Sequence, residues 1–66
     1  MKNNIKVQRA IQNLTQQDLA EKIGVSRQTI NALEAGKYVP STVLALKLSR
    51  LFEKPVNEIF QLEQGD

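Results

Sequence analysis

"LAEKIGVSRQTINALEAG", residues 19–36, is the stretch on which the architecture turns. Leu19, Ala20 and Ile23 recur at helical spacing, and Gly24 follows the last of them, where a left-handed residue commonly ends a helix. Val25 is apolar inside the turn, so its side chain is expected to tuck into the core. Ser26 stands where an N-cap belongs. It opens a second helix from Arg27 to about Ala35, closed in the same way by Gly36. The pattern is two short helices joined by a tight turn.

The outward positions of the second helix hold a cluster of hydrogen-bonding groups. A step of about 100° per residue places Gln28 and Asn31 near Arg27, beside the small Ala32. Ile30 and Leu33 fall on the opposite side, with Thr29 between the faces. Arg, Gln and Asn each make paired hydrogen bonds to base edges in the major groove, Arg to guanine and Gln or Asn to adenine. A solvated helix face has the same composition, so these residues alone leave both readings open. The preceding segment tips the balance, because a helix, a short turn and a second helix are the parts of a helix-turn-helix, whose second helix enters the groove. With Gln16 as the first position of the unit, Leu19, Ile23, Val25, Ile30 and Leu33 fill its apolar positions. Ala20 supplies the small residue where the helices cross, and Gly24 the turn.

Outward from this unit the pattern stays helical. Thr15 is a candidate N-cap with Asp18 three residues on, close to a capping box. Residues 4–12 predict a short helix with Ile5, Ala10 and Ile11 inward. After the turn at Pro40-Ser41, residues 42–52 predict the longest helix, with Val43, Leu44, Leu48, Leu51 and Phe52 inward. Pro55 starts a last short helix through Ile59 or Phe60. The tail "QLEQGD" is polar, and only Leu62 offers it an anchor. Five helices with short connections predict an all-α fold, a single domain over residues 1–66.

Composition narrows the classes further. The chain has 66 residues, no cysteine and no histidine, which removes disulfides and the usual zinc sites. No run approaches the roughly 18 apolar residues of a membrane span, and the N-terminus lacks the apolar core of a signal peptide. A cytoplasmic location with no membrane partner is therefore expected. The net charge is +2, with residues 1–37 at +3 and residues 38–66 at −1, so positive charge gathers in the half that holds the two-helix unit. An enzyme is not expected. Catalysis would rest on carboxylates, lysines, hydroxyls or Tyr38, with no two acids placed as a pair. Gly24, Gly36 and Gly65 are isolated and form no phosphate loop, and no cofactor, metal or small-molecule ligand is expected.

In "LTQQDLAEKIGVSRQTINALEAGKYVPS" and "LALKLSRLFEKPVNEIF" the chain resembles the lambda-Cro/repressor type of helix-turn-helix protein, the Xre family. The resemblance runs from about Ile5 to Phe60 and is closest to the family's small stand-alone repressors. It implies a five-helix domain that binds double-stranded DNA as a homodimer, without a separate ligand-sensing domain. It also implies roles. Gln16 matches the residue that supports the recognition helix and contacts a phosphate. Arg27 and Gln28 match base readers, and Asn31 and Thr29 match nearby groove contacts. Ser26 is counted with this DNA-facing set. Lys37 and Tyr38 match a loop that grips the sugar-phosphate backbone, consistent with Lys as a point charge for phosphate. Arg9 and Glu34 match a partly buried salt bridge, Arg9 being scaffold rather than a DNA contact. Val39 departs from the pattern, since many relatives carry a polar residue there, which implies fewer backbone contacts. In close relatives the N-terminal end pairs with the C-terminal tail as a small two-stranded sheet, although "QLEQGD" does not itself read as a strand.

One module on DNA buries only about 600–1,000 Å², little with which to select one operator among about a million sites. Two copies related by a two-fold axis read two half-sites and gain specificity without new chemistry. Val56, Ile59, Phe60 and Leu62 are apolar residues to spare near the end, and this patch is the expected dimer surface. The competing reading places all four in the monomer core. The rival function is an antitoxin-like or adaptor protein-interaction module on the same scaffold. Such a module would carry an exposed apolar anchor on its binding face, which Arg27, Gln28 and Asn31 do not supply.

Overall fold

Side-chain oxygens start the three longest helices. The computed structural model describes residues 1–66. Its element order is β1 (Lys2–Asn3), α1 (Ile5–Ile11), α2 (Gln16–Ile23), α3 (Arg27–Glu34), α4 (Thr42–Phe52), α5 (Val56–Ile59) and β2 (Phe60–Gln61). At the head of α2 the Asp18 amide donates to Thr15 Oγ1 and the Thr15 amide donates back to Asp18 Oδ2, both at 3.0 Å. This is a complete capping box, and it satisfies two otherwise orphan donors. Ser26 accepts from the Thr29 amide at 3.2 Å to start α3, and Ser41 accepts from the Leu44 amide at 3.1 Å to start α4.

The ends are equally local in origin. Gly24 closes α2 at φ 74° and Gly36 follows α3 at φ 72°, conformations that a Cβ would strain. Beyond α3 the Gly36 amide donates to Leu33 and the Lys37 amide to Ala32, each at 3.0 Å, which is a Schellman closure. α4 has no glycine at its end, and Glu53 takes the left-handed position at φ 54°.

These helices enclose one apolar core. α1 contributes Ile5, α2 contributes Leu19, Ala20 and Ile23, α3 contributes Ile30 and Leu33, and α4 contributes Leu44, Leu48 and Phe52. Val25 packs half-buried against it from the turn. Ile59 and Phe60 complete it from the C-terminal side. The two strands pair antiparallel, Lys2 with Gln61 and Asn3 with Phe60, so the chain ends meet as a small sheet beside the helices. No helix is long and apolar enough to cross a membrane.

The inward faces of two helices differ from the expectation. Ile11 is 67% exposed and Ala10 is also exposed, whereas Gln8 is buried. Ile5, Gln8 and Arg9 share one arc of α1 with the C-cap Gln12; Ile5 and Gln8 are buried, Arg9 is half-buried, and Gln12 is exposed but bonded to α4. Ile5 fills the core, Arg9 reaches Glu34, and the Gln12 amide donates to the Leu51 carbonyl at 3.0 Å. That arc faces in, so Val7, Ala10 and Ile11 face out. Val43 is likewise 64% exposed, because the narrow stripe Leu44–Leu48–Phe52 already covers the core. The C-terminal patch is corrected in part. Ile59 and Phe60 lie in the protomer's own core, where they cover α4 and back the sheet, while Val56 is half-buried and Leu62 is exposed.

Two stability measurements check this arrangement. In urea unfolding, Ile5→Ala is expected to cost about 2–5 kcal/mol as a core truncation, and Ile11→Ala to stay within about 0.5 kcal/mol. Equal losses would contradict the orientation of α1. The Thr15 amide and hydroxyl hold the Asp18 carboxyl below the usual aspartate range. A lowered folded value means stability present above the ordinary aspartate range and lost as the pH falls through the lowered one. The wild type is therefore expected to exceed Asp18→Asn near neutrality and to converge with it in acid. Parallel pH profiles would contradict the capping box.

Candidate nucleic-acid interface

Burial of Ile30 and Leu33 sets the rotation of α3, and that rotation sends Arg27, Gln28 and Asn31 outward together. The three side chains are exposed, and with Gln16 from the start of α2 they line a polar hollow of about 150 Å³. No apolar residue lines it. Ala32, half-buried on the flank of the same face, adds no bulk that would hold the helix away from a duplex.

The other sequence-predicted residues divide into two groups. Ser26 and Thr29 bond each other through their hydroxyls at 3.0 Å, besides the cap from the Thr29 amide. They shape the N-terminal end of α3, whose first amides and dipole favour a phosphate. Lys37 and Tyr38 lie exposed in the loop beyond α3, placed there by the closure at Gly36. The Arg27, Gln28, Lys37 and Tyr38 side chains make no hydrogen bond within the chain, so each is available to a ligand.

Behind the exposed face runs a polar network. Arg9 grips Glu34 with two parallel bonds, Nε to Oε2 at 2.7 Å and Nη2 to Oε1 at 3.1 Å. Its Nη1 donates to the Leu14 carbonyl at 2.9 Å, which ties the α1–α2 connection to the pair. The side chains are only 15% and 9% exposed, and the bidentate carboxylate holds the guanidinium above its already high range. Gln16 Nε2 sits 3.4 Å from both Glu34 Oε1 and Asn31 Oδ1. A scaffold ion pair is thus linked, through one amide, to an exposed side chain of α3.

Sequence reasoning missed one supporting residue. Asn3 donates from Nδ2 to the Leu33 carbonyl at 2.8 Å and accepts the Ile5 amide at 3.2 Å, so the N-terminal strand steadies the last turn of α3. Asparagine before an apolar-periodic run is a cap signal, but its long-range partner has no local signature.

Fold and surface together define a helix-turn-helix domain with an exposed polar face on its second helix. The comparison with known families agrees: the helix-turn-helix family model matches residues 5–59, and the chain belongs to that family, in its Cro/C1 or Xre branch. A protein of Methanocaldococcus jannaschii, named an uncharacterized HTH-type transcriptional regulator, is 53% identical over 66 residues, all of both chains. One of Bacillus subtilis with the same description is 45% identical over 64 residues, 97% of each chain. One of Archaeoglobus fulgidus is 45% identical over 66 residues, all of this chain and 93% of that one.

Arg9→Ala leaves Glu34 with a buried, unmatched charge. A loss of about 3 kcal/mol in thermal or urea unfolding is expected, the lower end of the range for well buried pairs. A loss under about 1 kcal/mol would place the pair with ordinary surface bridges.

Proposed function

We propose that this protein is a sequence-specific regulator of transcription that binds double-stranded DNA, acting in the cytoplasm as a repressor and binding an inverted-repeat operator as a homodimer. The observation that carries the reading is the outward set Arg27, Gln28 and Asn31 on a helix whose opposite side is locked in the core. Three side chains capable of paired hydrogen bonds, on one arc with a small residue beside them, suit close approach to base edges. Lys37 and Tyr38 flank the arc and suit the sugar-phosphate backbone. The relatives' names support a role in transcription. A protein-binding face on α3 would need an exposed apolar anchor, and its exposed residues offer none.

The dimer surface is proposed around a hollow of about 260 Å³ whose lining is mostly apolar, with Met1, Leu46, Val56 and Phe60 beside the polar Ser41 and Thr42. Leu46 is 58% exposed at its edge, and Val39, Val43 and Leu62 are exposed as well. A self-complementary contact here, with Leu46 of each copy seated against the other's hollow, would cover apolar area that the protomer leaves open. Within the expected C-terminal patch, Val56 and Leu62 have surface to offer, and Ile59 and Phe60 are buried in the protomer.

Two measurements test the reading. Arg27→Ala is expected to cost about 1–3 kcal/mol in binding and to relax base preference at one position per half-site. Lys37→Ala should weaken all duplexes nearly equally and reduce the salt slope by about one per subunit. Identical behaviour of the two variants would contradict the division between readout and positioning. In sedimentation equilibrium the wild type is expected to be a dimer at tens of micromolar, and Leu46→Glu a folded monomer. A wild-type monomer of 7.4 kDa at that concentration would overturn the dimer.

A further inference from the structure

α1 is apolar on two sides. One is the arc of Ile5, which enters the core; the other carries Val7, Ala10 and Ile11, all exposed, Val7 at 57% and Ile11 at 67%. They stand at the helical spacings i, i+3 and i+4 and so form one outward stripe on a helix of seven residues. Single apolar residues on a surface need no explanation, but a contiguous stripe points to a contact. Charge is divided between its ends. Lys6 is exposed at the first turn and belongs to no ion pair. Beyond the last turn, Leu14, Asp18, Glu21 and Lys22 line a hollow of about 340 Å³, where two acids outnumber one base. Asp18 spends Oδ2 on the Thr15 amide at 3.0 Å and keeps Oδ1 free, and Glu21 is in no ion pair.

We propose that the outer face of α1 binds a second copy of this chain, α1 against α1, antiparallel about a two-fold axis. The distribution of charge selects this occupant. An antiparallel pair carries the basic end of each stripe to the acidic end of the other, so each Lys6 meets the hollow of the opposite copy. Its aliphatic stem lies along the apolar wall of that hollow and its ammonium between the two carboxylates. Ala10, the smallest residue of the stripe, stands where the helices cross and admits a close approach, with Val7 and Ile11 packed on either side. This surface is separate from the hollow beside Leu46, which contains none of these residues. With three or four side chains from each copy, against about 20–30 in a standard interface, the contact is weak between free molecules. Copies held side by side on one duplex are at high effective concentration, and there a weak contact becomes cooperative binding. That consequence rests on the DNA-binding reading above; the contact itself does not. A duplex that holds a single dimer leaves the face free.

The test is sedimentation equilibrium of the full chain without DNA, carried to roughly 1 mM, where so small a contact becomes populated. The wild type is expected to pass from dimer to larger species over that range. Ile11→Glu, which sets a charge in the stripe, should stop at the dimer. Leu46→Glu, monomeric at tens of micromolar, should pair through α1 at the high end, and adding Ile11→Glu should remove that pairing. Lys6→Glu and Glu21→Lys should each weaken the further association by about tenfold, because each sets like charges together. Both changes in one chain should recover it to within about twofold, since opposite charges face each other again. Circular dichroism verifies that each variant is folded. A wild type that gains no mass beyond the dimer, an Ile11→Glu variant that associates like the wild type, or a double exchange no better than its single variants would each overturn the proposal. Failure of the dimer around Leu46 has a different signature, a wild type that is monomeric at tens of micromolar yet still pairs through Ile11 near 1 mM. Failure of the DNA reading leaves every one of these masses unchanged.

Discussion

The bidentate pair between Arg9 and Glu34 is the constraint on which the arrangement of this small domain depends. It joins the middle of α1 to the last residue of α3, elements 25 positions apart, through bonds of 2.7 and 3.1 Å. Its consequences spread in three directions. It selects the arc of α1 that faces inward and so leaves Ile11 in solvent. It draws the Leu14 carbonyl, and with it the start of α2, toward the same guanidinium. It also presents a carboxylate oxygen to Gln16, the first residue of α2, which meets Asn31 on α3. Buried pairs are weak sources of net stability but costly to break. Here the pair's clearest consequence is geometric, because it holds three helices in one relation.

Around that pair, a chain of 66 residues without disulfide or metal-binding cysteine and histidine holds its shape by many local devices. Three hydroxyl caps, two glycine closures and the terminal sheet satisfy backbone groups that so thin a core cannot shield. The exposed polar face of α3 is consequently built on a rigid element rather than a loop. α3 is capped at Ser26, closed at Gly36 and fastened at Leu33 by Asn3. Such support lets exposed side chains meet a duplex with little ordering cost on binding.

Whatever depended on neighbours in the chain was legible in the sequence. Thr15, Ser26, Gly24 and Gly36 mark the helix ends through local capping chemistry, and the apolar spacing of Leu19, Ile23, Ile30 and Leu33 sets the rotation of α2 and α3. The outward trio Arg27, Gln28 and Asn31 follows from that rotation. Contacts between distant segments were less legible. Ile11 and Val43 have the apolar character of core residues, and periodicity alone cannot tell which arc a distant partner will cover. Ile59 and Phe60 read as surplus because nothing near them shows that α4 needs covering at its end. The Gln16–Asn31 contact and the Asn3–Leu33 tie are matters of side-chain reach, which spacing does not encode.

The most direct test of the central claim is to map the binding surface on the protein itself. Amide and side-chain resonances of the ¹⁵N-labelled protein would be followed during titration with a duplex at low salt, where even non-specific contact engages the phosphate-facing groups. The expected shifts cluster on Gln16, residues 26–31, Lys37 and Tyr38, with the outer face of α1 and the exposed side of α4 unmoved. Shifts centred on α1 or α4, or a spectrum that the duplex leaves unchanged, would contradict the assignment of α3 as the recognition surface.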